Sequence, residues 1–276
     1  KNLNARGMRA TVDVLGENIA DLAEAEETRK ACLGVLEALD ENKLDANHSI
    51  KLTSLGLQIN YQACLENVTA ILERARALGN FVRIDMEDSS TVTSTLELYD
   101  NLRADGFDNV GVVLQAYLRR TRADIRRLIA RDAAVRLVKG IYIEPREIAF
   151  QDYDTVRLEY VNSLDALLAA PATRTAIATH DEYLVVAARH LLARYGTPRT
   201  RYEFQMLLGV DPQLRRLLVA EGHPLRVYVP YGKGWHGYSV RRLVENPRFA
   251  AHGARNVLGL GPGREAAPSA PLPGLR

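Results

Sequence analysis

The most suggestive chemistry in this sequence lies in RVYVPYGKGWHGYSVRRLVENP, from Arg226 to Pro247. If its second half is a helix advancing about 100° per residue, Tyr238, Arg241, Arg242 and Glu245 fall at i, i+3, i+4 and i+7 on one face. Val240, Leu243 and Val244 then occupy the opposite face. Two guanidiniums on one narrow stripe can clamp a carboxylate or a phosphate, because each offers a planar fork of donors to two oxygens. A solvated helix face would show the same pattern, so the stripe alone does not decide.

Charge also sits where strands would normally be apolar. In FVRIDMED, Arg83, Asp85 and Glu87 alternate with Val82, Ile84 and Met86, and in VRLVKGIY the cations Arg136 and Lys139 follow a short apolar run. A charge inside a protein is costly unless paired, so these groups are expected to pair with each other or with a ligand. Structural ion pairs would satisfy the same rule. Lys51 in SIKLTS, Gln115 in VVLQAY, Thr179 with His180 in IATHD, and Tyr228 in RVYVPYG complete the polar candidates. The histidines show no HxH or HExxH spacing, so no metal site is expected. Neither a GxSxG nucleophile elbow nor a phosphate loop ending in GK[ST] occurs, which argues against serine-nucleophile chemistry and nucleotide hydrolysis.

What must position these groups is a repeated unit. Short runs rich in Val and Ile alternate with longer segments of helical period, the pattern of parallel strands joined by crossover helices. The strands are read at Ala10 to Leu15, Ser49 to Ser54, Val82 to Glu87, Gly111 to Tyr117, Val135 to Gly140, Thr175 to His180, Tyr202 to Leu207 and Leu225 to Pro230. Eight consecutive βα units predict an α/β fold of the closed (β/α)8 barrel type, with the site at the carboxyl ends of the strands. Residues 1–258 are read as this single barrel. The stretch from Tyr142 to Thr155 makes a long fifth connection, and the Gly, Pro and Ala-rich sequence from Gly259 to Arg276 reads as a flexible tail.

Composition bounds the rest. The chain has 276 residues, with 36 basic and 34 acidic residues intermingled and a net charge of +2, so no basic stripe points to nucleic acid. No apolar run approaches the length of a membrane span. The two cysteines, Cys32 and Cys64, lie in helix-like apolar patterns and read as buried thiols of a reducing, cytoplasmic compartment.

The ordered motifs SIKLTSLG, VRIDMED, VLQAYLRRT, RLVKGIYIEP, IATHD, YEFQMLLGV, and RVYVPYG followed by YSVRRLVENP resemble those of the bacterial, single-function proline dehydrogenase family. They run in the same order at barrel-strand spacing from about Thr11 to Pro247. The resemblance implies a flavoenzyme that uses FAD to oxidise L-proline to 1-pyrroline-5-carboxylate. Electrons would pass to a membrane quinone through peripheral contact, on the inner face of the plasma membrane.

By the same resemblance, Arg241, Arg242 and Lys51 would hold the substrate carboxylate, and Asp85 would order those cations. Tyr228, Tyr238, Leu207 and Tyr142 would wall the proline ring. Arg136 would lie near flavin N5, Met86 and Gln115 around the isoalloxazine, and Lys139, Gly140 and Ile141 further along the cofactor. Thr179 and His180 would lie near its phosphate and ribityl parts, and Glu245 would act as a conformational partner on the last helix. Family members usually carry extra helices ahead of the barrel, so the start at Lys1 suggests a trimmed form. The residues alone leave open a Schiff-base lyase using Lys139, a barrel that only binds an anionic metabolite, and a dehydrogenase of another cyclic imino acid such as 4-hydroxyproline.

Overall fold

The computed structural model describes residues 1–16 and 19–232. The strands are β1 (Arg9–Val14), β2 (Ala46–Ile50), β3 (Val82–Ile84), β4 (Val110–Gln115), β5 (Ala134–Val138), β6 (Arg174–Ala178), β7 (Tyr202–Leu207) and β8 (Leu225–Tyr231). They run parallel, each bonded to the next and β1 to β8, and so close a barrel. Between them lie α1 (Leu22–Glu41), α2 (Tyr61–Ala77), α3 (Val92–Ala104), α4 (Thr121–Ile129), α5 (Tyr153–Ala169), α6 (Glu182–Arg194) and α7 (Pro212–Ala220). The expected (β/α)8 architecture is therefore present. The helix expected to carry Tyr238, Arg241, Arg242 and Glu245, and the tail from Gly259, lie outside the described residues.

The core sits between the strands and the helix ring. Val82, Ile84, Val112, Leu114, Val135, Leu137, Ile177, Phe204 and Val227 belong to one buried cluster with helical residues such as Leu36, Val68, Leu98 and Leu164. Burying one such side chain is worth roughly 1.5–3 kcal/mol. The alternate residues point the other way, and on six of the strands many are polar: Asp13, Asn47, Ser49, Arg83, Arg136, Glu203, Gln205, Arg226 and Tyr228, with Asp85 just after β3, whereas β4 and β6 present Gly111, Val113, Ala176 and Ala178. Barrels of this type usually fill the lumen with branched apolar residues. A polar lumen departs from that rule, and its groups bond one another across the barrel.

The strand readings hold to within two residues except at β2 and β3. The segment read as Ser49 to Ser54 is a strand over Ala46–Ile50, followed by a single 3-10 turn, Thr53–Leu55, that ends on Gly56 at φ 101°. In ANHSI three polar residues interrupt the apolar pattern, which hid the strand's first half. β3 stops at Ile84, although Asp85 N–H still donates to the Ile50 carbonyl at 2.9 Å. Cys32 and Cys64 are buried free thiols, and burial pushes both up to about 12. Among the described residues no helix is long and apolar enough to cross a membrane.

Candidate active site

Asp85 is the centre of the lumen's carboxyl end. Its Oδ1 accepts from Ser49 Oγ at 2.7 Å and from an Arg136 guanidinium nitrogen at 2.6 Å, and its Oδ2 accepts from the Tyr228 hydroxyl at 2.8 Å. Lys51 Nζ stands 3.9 Å from Oδ2. These partners come from β2, β5, β8 and the residue just after β2, so one carboxylate ties four sectors of the barrel together. Burial alone would raise the Asp85 carboxyl, but the Arg136 and Lys51 charges and the bonds from Ser49 and Tyr228 outweigh it and hold the group below its ordinary range.

Arg136 is fixed from two sides. Its Nε donates to Gln205 Oε1 at 2.6 Å, and Gln205 in turn donates to Glu203 at 2.6 Å. Its guanidinium lies 5.4 Å from the Tyr228 ring centroid. One terminal nitrogen, Nη2, is buried with no hydrogen-bond partner among the described residues. An unused donor on a buried cation is rare in folded proteins and calls for a partner from outside these residues.

Lys51 has a second carboxylate. Its ammonium donates to Asp13 Oδ2 at 2.6 Å, and Asp13, on β1, is wholly buried. Burial, against the pull of Lys51 and with the repulsion of Asp85, raises the Asp13 carboxyl. The carboxyl end of the described lumen thus carries two cations, Lys51 and Arg136, against two carboxylates, Asp13 and Asp85.

The remaining candidates line the rim. Gln115 donates to the Glu87 carbonyl at 2.9 Å, and Glu87 accepts from Thr53 N–H at 3.1 Å, so this pair clamps loops rather than pointing charge into the lumen. Gly140 has φ 114°, and a Cβ there would come within 2.1 Å of the Tyr117 ring. The Tyr117 ring by itself already forbids a side chain at Gly140, which the resemblance places along the cofactor. Lys139 pairs with Asp181 at 3.2 Å and lies 4.7 Å from the Tyr153 ring centroid, on the helix side of the barrel. Asp181 caps α6 and binds Arg157 as well. Held in that cluster outside the lumen, Lys139 is poorly placed as an imine-forming amine.

The Thr179 hydroxyl accepts from Asp181 N–H at 3.0 Å. His180 Nε2 accepts from Leu207 N–H at 2.8 Å, so in the neutral ring the proton sits on Nδ1. Tyr142 is half-buried and Ile141 exposed on the fifth connection, which Glu144 ties to β3's exit through Ser89 N–H and Oγ, both at 2.6 Å. Met86 packs in the apolar core.

The structure therefore brings Lys51, Asp85, Arg136 and Tyr228 into one connected cluster, with Leu207 paired in register with Tyr228. Tyr238, Arg241, Arg242 and Glu245 lie outside the described residues. Asp13, Ser49, Gln205 and Asp181 were not singled out from sequence. The first three share the lumen-facing period of Asp85 on their own strands, which was the available signal.

One family model, described as Proline dehydrogenase, matches residues 1–252. The chain belongs to the proline dehydrogenase family. It is 38% identical over 258 residues to proline dehydrogenase 1 of Bacillus subtilis (strain 168), covering 94% of this chain and 85% of that protein. It is 35% identical over 260 residues to proline dehydrogenase of Deinococcus radiodurans, covering 93% and 84%. Among solved structures it resembles proline utilization A from Bdellovibrio bacteriovorus, inactivated by N-propargylglycine, with a TM-score of 0.83 and 25% identity. That match covers 89% of this chain and 30% of the other. Family membership makes the chain an oxidoreductase.

Proposed function

We propose that the chain oxidises L-proline to 1-pyrroline-5-carboxylate with FAD as its cofactor, electrons then passing to a membrane quinone. The observation that carries this reading is the Asp85 cluster at the carboxyl end of the lumen, in a family whose curated members are named proline dehydrogenases. The residues present fit a flavin. Arg136 keeps a buried donor without a partner, and Lys139, Thr179 and His180 stand at the ends of the two strands that follow one another around that rim. When bound, FAD would supply the hydride acceptor at its N5, for which Arg136 is the cation we assign.

The chain's own part is positioning and charge. Asp85 and Gln205 hold Arg136 in one orientation, so little reorganisation is left for the reaction itself. Lys51, Asp85, Arg136 and Asp13 nearly balance one another, so the carboxylate of proline needs further cations. Arg241 and Arg242 are the candidates, with the stripe spacing described above, Tyr238 beside them and Glu245 as a conformational partner on the same face. The Tyr228 ring, with Leu207 and Tyr142, would wall the substrate ring and keep water away. The amine of proline must be unprotonated before hydride can leave C5.

The test is turnover of L-proline with a soluble quinone analogue. The reading expects one acceptor reduced per proline consumed, with a pyrroline product, and slower turnover of 4-hydroxyproline. Preference for 4-hydroxyproline would move the assignment to another imino acid, and no acceptor reduction with either would overturn it.

A further inference from the structure

A second set of cations lies at the opposite end of the barrel. The amino ends of the strands enclose a cavity of about 500 Å³ whose wall carries Arg9, Lys43, Arg83, Arg174, Arg201 and Arg226 against Asp40, Asp45 and Glu203. Lys43 pairs with Asp40 at 3.0 Å, Arg9 with Asp45 at 3.4 Å and Arg226 with Glu203 at 2.7 Å, which occupies all three carboxylates. Arg83, Arg174 and Arg201 have no carboxylate within ion-pair distance among the described residues.

These three guanidiniums line one cavity, and two of them, Arg83 and Arg201, are incompletely satisfied among the described residues. Arg83 and Arg174 flank the same Phe81 ring, 5.0 and 5.8 Å from its centroid. Arg83 is 5% exposed. One of its terminal nitrogens donates to the carbonyls of Val112 at 3.1 Å and Ala134 at 2.6 Å, and its Nε is buried with no partner. Arg201 donates to the Ala170 and Thr173 carbonyls, and its Nε is also buried without a partner. Room for the Arg83 head is made by Gly111, where a Cβ would stand 2.5 Å from Nη1. Burial, with the like charge of Arg136, pushes the Arg83 guanidinium down to about 9, so it is still a cation at neutral pH.

The buried Arg83 and the half-buried Arg201 each keep an unused N–H donor, and with the exposed Arg174 on the same wall they suit an oxyanion, which arginine forks bind through two oxygens. The cavity is the size of a site for a small molecule rather than for a bare ion. We propose that this cavity binds a small metabolite through a phosphoryl or carboxylate group held by Arg83, Arg174 and Arg201. The site is separate from the Asp85 cluster. Gln205, bonded to Glu203 of the cavity wall on one side and to Arg136 of the cluster on the other, stands between them.

The experiment is calorimetric titration of the purified, cofactor-loaded protein with inorganic phosphate and, separately, with citrate, at constant ionic strength. Wild type, Arg174→Gln and the double variant Arg174→Gln/Arg201→Gln are compared. Arg174 is exposed, so its single variant does not depend on repacking a buried site. Saturable binding is expected in wild type, weaker by about tenfold in Arg174→Gln and weaker again in the double variant, with the KM for proline unchanged in Arg174→Gln. Binding of phosphate alone would identify a phosphoryl group, and of citrate alone a carboxylate. No saturable binding of either anion, or equal affinity in wild type and Arg174→Gln, would overturn the proposal.

Discussion

Arg136 lies on β5 and Asp85 directly follows β3, strands that are not neighbours in the sheet, yet Arg136 Nη1 and Asp85 Oδ1 stand 2.6 Å apart across the lumen. The two residues are the hinge of the functional reading, because each fixes the other and each touches a second group that substrate or cofactor would meet.

Replacing Asp85 with Ala leaves Arg136 buried without its carboxylate partner and takes away the more distant of the two carboxylates beside Lys51, which keeps Asp13. Breaking a buried pair in this way costs about 3–5 kcal/mol. Melting temperature should fall and turnover should drop by at least about tenfold, with the larger loss in kcat because Arg136 loses its orientation. Thermal melts and steady-state kinetics check this. Wild-type turnover in Asp85→Ala would make the aspartate structural only.

The carboxylate clamp is tested at Arg241 and Arg242. Changing either to Met should raise the KM for proline by roughly tenfold or more while cofactor remains bound, as expected for a lost charge-assisted contact. Flavin content and KM are measured on the same preparation. An unchanged KM in both variants would remove these residues from the site.

His48 predicts a pH dependence of stability. Its Nδ1 lies 2.8 Å from the Val12 carbonyl, its Nε2 is buried without a partner, and burial lowers the ring from 6.5 to about 4. As pH falls, the unfolded chain takes up this proton first. The contribution is therefore full above 6.5 and is lost progressively toward 4, on the order of 3 kcal/mol in all. His48→Gln should show a shallower loss of stability across that window in denaturant melts at several pH values. An identical slope would contradict the assignment.

Gly140→Ala combines a left-handed backbone with a clash against Tyr117. Loss of at least about 1 kcal/mol is expected, visible as a lower melting temperature. Tyr117→Ala should relieve only part of it in the double variant, since φ stays at 114°. Full recovery would show that the ring contact alone matters.

Most of the barrel was legible because its outward residues are apolar and regular: Val82 and Ile84, Val110 to Leu114, and Val135 and Leu137 each announce a strand. β2 was displaced because Asn47, His48 and Ser49 obscure that signal. Arg83, Asp85 and Arg136 stood out as charges in apolar runs, and the pairing expected of them is found between Asp85 and Arg136. Asp13, Ser49 and Gln205 did not stand out, because a single polar residue in a strand looks like an ordinary exposed position until closure of the barrel turns that face inward. Asp181 looked like the end of IATHD, and only the helix it caps and the arginine it binds reveal its part.

The visible spectrum of the purified protein, recorded before and after anaerobic addition of L-proline, tests the proposed oxidation most directly. A bound flavin whose absorbance bleaches as proline is consumed is the expected result. A colourless protein that stays inert after FAD is added, or a flavin that proline leaves oxidised, would contradict it.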